Sequence, residues 1–289
     1  MIRPPFVISV QSQVVLGHVG NSAAVFPMQA AGLEVAAIPT VIFSNTPDYP
    51  TLRGRALADD FFADLLLGAH ERGLARRADF IISGYIGSAG VARLLAGFVT
   101  AAKAANPALI YLCDPVMGDD GPGLYVPPDV AAVIRDELLP LADIATPNPF
   151  ELSWLTGRTL RSTADLIAAR AELRLAPDAR LIATGCVLDD TAAGMIETVL
   201  LHGNGVSRHA TARLPLAKPG TGDLFTGLIV AAMGCGQSLP DAIDTAQHLT
   251  ACALAEAAAL GANEVVLTAP GFRRALTLLG DQGGDHSLT

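Results

Sequence analysis

The sequence predicts an α/β fold, a three-layer α/β/α sandwich with a mostly parallel central sheet. Three observations predict it. Six short apolar runs are continuous rather than alternating, as in strands covered on both faces. Helix-like segments separate most of them, the alternation of a doubly wound sheet. Polar and glycine residues gather just after each run, where ligands bind in such folds.

The first run, Phe6–Val10, leads through "QSQVVLGHVGN" into a helix over Asn21–Ala31, which Gly32 ends as a C′ glycine. The second, Val35–Phe43, is followed by "SNTPDY" and a helix over Ala56–Arg72. Phe80–Ser83 precedes "SGYIGSAG" and a helix over Gly90–Ala105. Leu109–Cys113 opens "CDPVMGDDGPG", and Pro128–Leu139 is helical. Ile144–Thr146 runs into "TPNPFE", with a helix later over Thr163–Leu173, and Leu181–Thr184 ends in "TGC". Met195–His202 and Val206–Ala212 form a hairpin joined by "GNG". Three helices close the chain, over Gly222–Met233, Pro240–Ala259 and Pro270–Leu278.

The 289 residues are 51% hydrophobic and 16% charged, with no linker-like stretch. We expect one domain over residues 1–280 and a frayed tail over 281–289. A formal charge of −9 argues against a broad nucleic-acid surface. No apolar stretch reaches the ~18 residues that span a membrane. Cys113, Cys186, Cys235 and Cys252 have neither zinc nor disulfide spacing, so they read as free thiols in a reducing cytoplasm. The opening "MIRPPFVISVQSQ" lacks the pattern of a signal peptide.

No GxxxxGK[ST] is present, and Phe225 stands where a GxGxxG would need its third glycine. The informative stretch is "KPGTGDLFTG". Gly220 and Gly222 let backbone approach a ligand without a Cβ between them. The helix that follows offers unpaired N–H groups to an anion. Asp223, in its first turn, is either a helix cap or a base near an attacking hydroxyl. The helix terminus should lower its pKa, which phosphoryl transfer tolerates because the hydroxyl proton leaves late.

In "TPNPFE", Asn148, Pro149 and Glu151 fit the N-cap, N1 and N3 positions of a capping box. Asn148 and Glu151 could equally organise a hydrated Mg²⁺, which takes few protein ligands. Asp114 is either a turn residue before Pro115 or a carboxylate facing the cleft. "GDDGPG" is either a mobile cover or a solvated loop. His18, His70 and His248 share no metal spacing.

Together these residues resemble the ribokinase-like superfamily of small-molecule kinases, through "GTGD" at Gly220–Asp223 and N-x-x-E at Asn148–Glu151. Within it the chain resembles the pyridoxal kinases, through Gln11–Gly32, Phe43–Asn45, Ser83–Ala89, Cys113–Asp119 and Thr146–Leu152. The resemblance implies ATP-dependent phosphorylation of the 5′-hydroxymethyl of pyridoxal, pyridoxine or pyridoxamine by a homodimer. It implies Asp223 as base, with Gly220 and Gly222 in the anion hole. It places Ser12, Val19, Thr46 and Tyr85 at the substrate. Asp114, Tyr125, Thr146, Thr184, Thr221 and Gly222 fall to the nucleotide, and Asp114, Asn148 and Glu151 to Mg²⁺. It also admits a monovalent cation, K⁺ or Na⁺.

One departure touches the substrate side. The family usually reads S-N-H-T-x-Y where this chain has "SNTPDY", so the histidine is absent and Thr46 stands one place early. The rival enzyme is a hydroxymethylpyrimidine kinase, which shares "DPVM" but generally carries cysteine in place of Asp223. A non-catalytic vitamer or nucleotide binder would not need that acid.

Overall fold

The computed structural model describes residues 3–203, 205–214 and 218–284. In chain order the elements are β1 (Phe6–Leu16), α1 (Asn21–Ala30), β2 (Glu34–Asn45), β3 (Gly54–Ala56), α2 (Asp59–Glu71), α3 (Leu74–Arg77) and β4 (Phe80–Ser83). Then come α4 (Ala89–Ala105), β5 (Ile110–Cys113), β6 (Gly118–Asp119), β7 (Gly123–Leu124), α5 (Pro128–Val133), β8 (Ile144–Ala145), α6 (Pro149–Thr156) and α7 (Thr163–Glu172). The chain ends with β9 (Arg180–Cys186), β10 (Met195–His202), β11 (Gly205–Ala212), α8 (Thr221–Gly234), α9 (Leu239–Ala259) and α10 (Pro270–Gly284). The backbone falls into two compact units, residues 1–55 with 214–289, and residues 56–213.

In the first unit β1 and β2 pair in parallel. The expected strand end at Val10 is passed because Gln11 and Gln13 continue the ladder. Between Gln11 and Gln13 the register shifts: Ser12 alone stands against Thr40 and Val41, so the extra residue of the bulge lies on β2, opposite Ser12. Buried polar groups make this tolerable. Asn21 Nδ2 donates to the Gln11 carbonyl at 3.2 Å, Ser9 Oγ donates to Asn21 Oδ1 at 2.7 Å, and Gln11 Nε2 donates to Ser9 Oγ at 3.0 Å. Helix α8 is apolar nearly all round and buried along its middle. Beyond α9, Val265, Leu267 and Ala269 are buried and fix the connection to α10. That last helix runs past the expected end at Leu278 to Gly284. The rest of the tail expected from residue 281 lies outside the described residues.

In the second unit the strand order is β11-β10-β9-β8-β5-β4. β4, β5, β8 and β9 run parallel, and the β10–β11 hairpin adds antiparallel strands at one edge. The parallel strands read as continuous apolar runs because they are buried on both faces. The acidic "GDDGPG" is not an open loop: β6 and β7 pair as a small antiparallel ribbon, with the Asp119 carboxyl raised by burial. The helix expected over Pro128–Leu139 keeps its α form only to Val133. A wider π turn covers Ile134–Leu138 and a 3₁₀ turn Leu139–Leu141, where Pro140 has no N–H to continue the ladder.

Candidate active site

The first unit brings Asp223 together with the loop after β1. Helix α8 starts at Gly220, its N-cap, at φ 80, and no side chain caps it. A Cβ at Gly220 would run into the His18 carbonyl, so only glycine lets this turn lie against the 17–20 loop. Asp223 is therefore the third helical residue and caps nothing. It is 8% exposed and receives a backbone donor, the Gly20 amide. Its Oδ1 has no hydrogen-bond partner among the described residues. Burial outweighs the Gly20 amide and pushes its pKa up, opposite to the lowering that the helix terminus alone predicts. Thr221 Oγ1 turns back to the Lys218 carbonyl at 2.7 Å.

Ser12 is buried on β1 opposite the β2 bulge, and Val19 is half-buried in the 17–20 loop. Thr46 is buried at the end of β2, its hydroxyl donating to Glu264 Oε1 at 3.4 Å. The Tyr49 hydroxyl binds the same carboxylate, which raises its pKa. Glu264 also accepts the His18 amide at 2.8 Å. Sequence reasoning passed over Glu264, because its partners His18 and Thr46 lie 246 and 218 residues away in the chain.

The second unit brings Asp114, Thr146, Asn148, Glu151 and Thr184 to the carboxyl ends of neighbouring strands. Cys113 pairs with Ala145, and the next residues along the two strands are Asp114 and Thr146. Their amides continue the ladder, Asp114 to Ser83 at 2.9 Å and Thr146 to Cys113 at 3.1 Å. The Thr184 amide reaches the Pro147 carbonyl at 3.0 Å. Asp114 is buried, and Thr146 Oγ1 is buried without a partner among the described residues. Tyr85, after β4, is half-buried with its hydroxyl pKa raised by burial. Tyr125 is exposed beside the ribbon and ties its amide to the Met117 carbonyl at 2.9 Å.

Asn148 and Glu151 form the expected capping box at α6. They also clamp the loop before the ribbon. Glu151 Oε1 accepts the Met117 amide at 2.7 Å and Oε2 the Asn148 amide at 2.9 Å. Asn148 Nδ2 donates to the Gly118 carbonyl at 2.9 Å. Val116, within this loop, holds φ 41, a conformation that disfavours a branched side chain. Burial pushes Glu151 up to about 7, against backbone donors from Asn148, Met117 and Gly118 that pull it down.

Magnesium prefers hard oxygen donors and keeps most of its waters. The described residues hold no cluster of three or more His, Cys, Asp or Glu that could hold a metal. The Asp114 carboxylate beside the orphaned Thr146 hydroxyl fits such a partly hydrated ion. Asn148 and Glu151 already spend their side-chain atoms on backbone groups, which suits contact through water better than direct ligation.

Residues 77–268 match the family described as phosphomethylpyrimidine kinase. The chain is 41% identical to the pyridoxal kinase PdxY of Deinococcus radiodurans over 82% of this chain and 80% of that one. It is 38% identical to the pyridoxine/pyridoxal/pyridoxamine kinase of Bordetella avium, over 86% and 84%. The solved pyridoxal kinase of Leishmania donovani in complex with ADP and pyridoxamine superposes with a TM-score of 0.84. It covers 94% of this chain and 95% of that one at 28% identity. The fold, a mostly parallel sheet with flanking helices, is thus ribokinase-like. The chain belongs to the pyridoxal kinase family.

Proposed function

We propose that the protein transfers the γ-phosphoryl group of ATP to the 5′-hydroxymethyl of pyridoxal, giving pyridoxal 5′-phosphate and ADP. The observation that carries this reading is Asp223, a buried acid with one oxygen unpartnered, behind a glycine turn and in the first turn of α8. As the hydroxyl oxygen bonds to phosphorus, the bond to the ADP oxygen breaks. ADP leaves with the electron pair, and Asp223 takes the hydroxyl proton. Its raised pKa makes it a better acceptor than an ordinary aspartate. The first turn of α8, which no side chain caps, offers its Gly222 amide to the charge developing on the transferring group.

Ser12, Val19, Thr46 and Tyr85 face the vitamer in this reading, Thr46 through its seat on Glu264. Asp114, Tyr125, Thr146, Thr184, Thr221 and Gly222 serve the nucleotide. Mg²⁺ would be held by Asp114 with Thr146 and through water by Asn148 and Glu151, and would supply charge neutralisation at the phosphates. A K⁺ or Na⁺ ion beside the phosphates, a homodimer, a single domain over residues 1–280 and a cytoplasmic location complete the proposal. Exposed Val15, Leu16 and Ile42 support the dimer, since such apolar surface commonly meets a partner.

The matched family is described as a pyrimidine kinase, and hydroxymethylpyrimidine is kept as the rival substrate. Both substrates are flat rings bearing a hydroxymethyl, so discrimination must come from hydrogen bonds to ring substituents. A polar group left unpaired costs ~1–3 kcal/mol, so one or two give tenfold to several-hundredfold preference. The test is kcat/KM for each compound in one ADP-release assay with Mg²⁺. Pyridoxal should win, and a higher value for the pyrimidine would overturn the substrate assignment. Tight pyridoxal binding without turnover would point to a binder.

A further inference from the structure

We propose that Glu264 is a positioning residue for the vitamer side of the reaction, gathering two loops of the first unit around one buried carboxylate. The role rests on the function proposed above. Glu264 is 7% exposed and is followed by buried Val265 and Leu267, which hold its backbone in place. Its two oxygens take donors from two different loops. Oε2 accepts the His18 amide at 2.8 Å, in the loop between β1 and α1. Oε1 accepts the Thr46 hydroxyl, in the loop after β2, and the Tyr49 hydroxyl of that loop binds the same carboxylate. A Cβ at Gly17, which sits at φ 105, would run into the Glu264 carboxylate, so the chain packs directly on it. A third loop is tied to the same segment two residues earlier, where Lys218 Nζ donates to the Ala262 carbonyl at 2.6 Å.

These ties lead to the reacting groups. His18, held by its amide, presents its carbonyl against Gly220 at the start of α8. Two residues on, Gly20 donates its amide to Asp223. Val19 lies between them. Glu264 therefore fixes the backbone that seats the base, while Thr46 and Tyr49 fix the loop read as contacting substrate. A carboxylate suits this place because it only accepts, and all three of these partners can donate. Asp114, Thr146 and Thr184 belong to the other unit.

The expected result is a split between vitamer and nucleotide. Glu264→Ala should lower kcat/KM for pyridoxal by about a hundredfold, through both a lower kcat and a higher KM. Its Kd for ADP, measured by calorimetry without vitamer, should stay within about twofold. Glu264→Gln should recover most of this, to about three- to tenfold below wild type. Its carbonyl still accepts the His18 amide, and the Thr46 and Tyr49 hydroxyls can turn to accept from its NH₂. Hydrogen exchange on the protein without ligands reads the ties directly: amides of residues 17–20 should exchange faster in Glu264→Ala and near the wild-type rate in Glu264→Gln. Should the alanine variant fail to fold, the glutamine variant carries the test, with a loss in pyridoxal kcat/KM of about three- to tenfold and no change in ADP affinity. Wild-type kcat/KM in either variant overturns the proposal. So does a fall in ADP affinity that matches the fall in turnover, which would mark general structural damage. A wild-type protein that phosphorylates no B6 vitamer overturns the proposed function, and this role with it. An active wild type with unaffected variants overturns only this role.

Discussion

Two acids occupy the same place in two helices. Asp223 is the third residue of α8 and Glu151 the third residue of α6, and both are buried. Their surroundings are opposite. Glu151 follows a capping asparagine and spends its oxygens on the Met117 and Asn148 amides. Asp223 follows an uncapped glycine turn and keeps Oδ1 without a partner among the described residues. Buried polar atoms are almost always hydrogen-bonded, so an exception asks for a functional reason. The difference teaches that the first turn of a helix can be used in two ways. In α6 it is closed by its own side chains and steadies a strained loop. In α8 it is left open, and the fold leaves a carboxylate ready for a proton that arrives with substrate.

The largest effect should come from disabling the open member. Asp223→Asn keeps the shape and removes the base, so kcat should fall by ~10²–10⁴, about 3–5 kcal/mol of barrier, with ADP affinity kept. Turnover near wild type would erase the contrast between the two helices. A smaller effect should come from the closed member. Glu151→Gln still caps α6, but its NH₂ must face an amide that the carboxylate accepted. The Val116–Gly118 loop should loosen, and the Mg²⁺ needed for half activity should rise about tenfold, the equivalent of ~1.4 kcal/mol. An unchanged magnesium titration would reduce Glu151 to a cap alone. The smallest effect sharpens the substrate side. Ser12→Ala loses one neutral hydrogen bond worth ~0.5–1.5 kcal/mol, so KM for pyridoxal should rise several-fold. An equal rise in KM for ATP would move Ser12 away from the vitamer.

The sequence makes the α6 arrangement readable because it is local: Asn148 and Glu151 meet across one helical turn, and their residue types name the motif. The parallel strands are readable for a similar reason, since burial on both faces leaves an unbroken apolar run. The first strand is misjudged at Val10 because Gln11 and Gln13 look like loop residues. Folding brings Asn21 and Ser9 to Gln11, and Ser22 to Gln13, and these partners make the polar groups acceptable within the strand. Glu264 carries no local signature, as its partners are far away in the chain. The direction of the Asp223 shift was likewise out of reach. A helix terminus is visible in sequence and lowers a carboxyl pKa, whereas the burial that overrides it depends on packing of α1 and the 17–20 loop against α8.

The central claim is that the Asp223 carboxylate is kept for chemistry and does not help hold the fold. Its folded pKa lies above the unfolded value near 3.8, so the ionised form weighs against folding. Stability contributed by this group is complete below that value and is lost as pH rises through the folded pKa. Asparagine has no such loss. The direct measurement is the unfolding free energy of Asp223→Asn beside wild type in urea, from pH 4 to pH 8. The variant should be at least as stable as wild type at pH 8, with its advantage shrinking toward pH 4. A variant less stable than wild type at pH 8 would show the carboxylate to be a structural group and would contradict the claim.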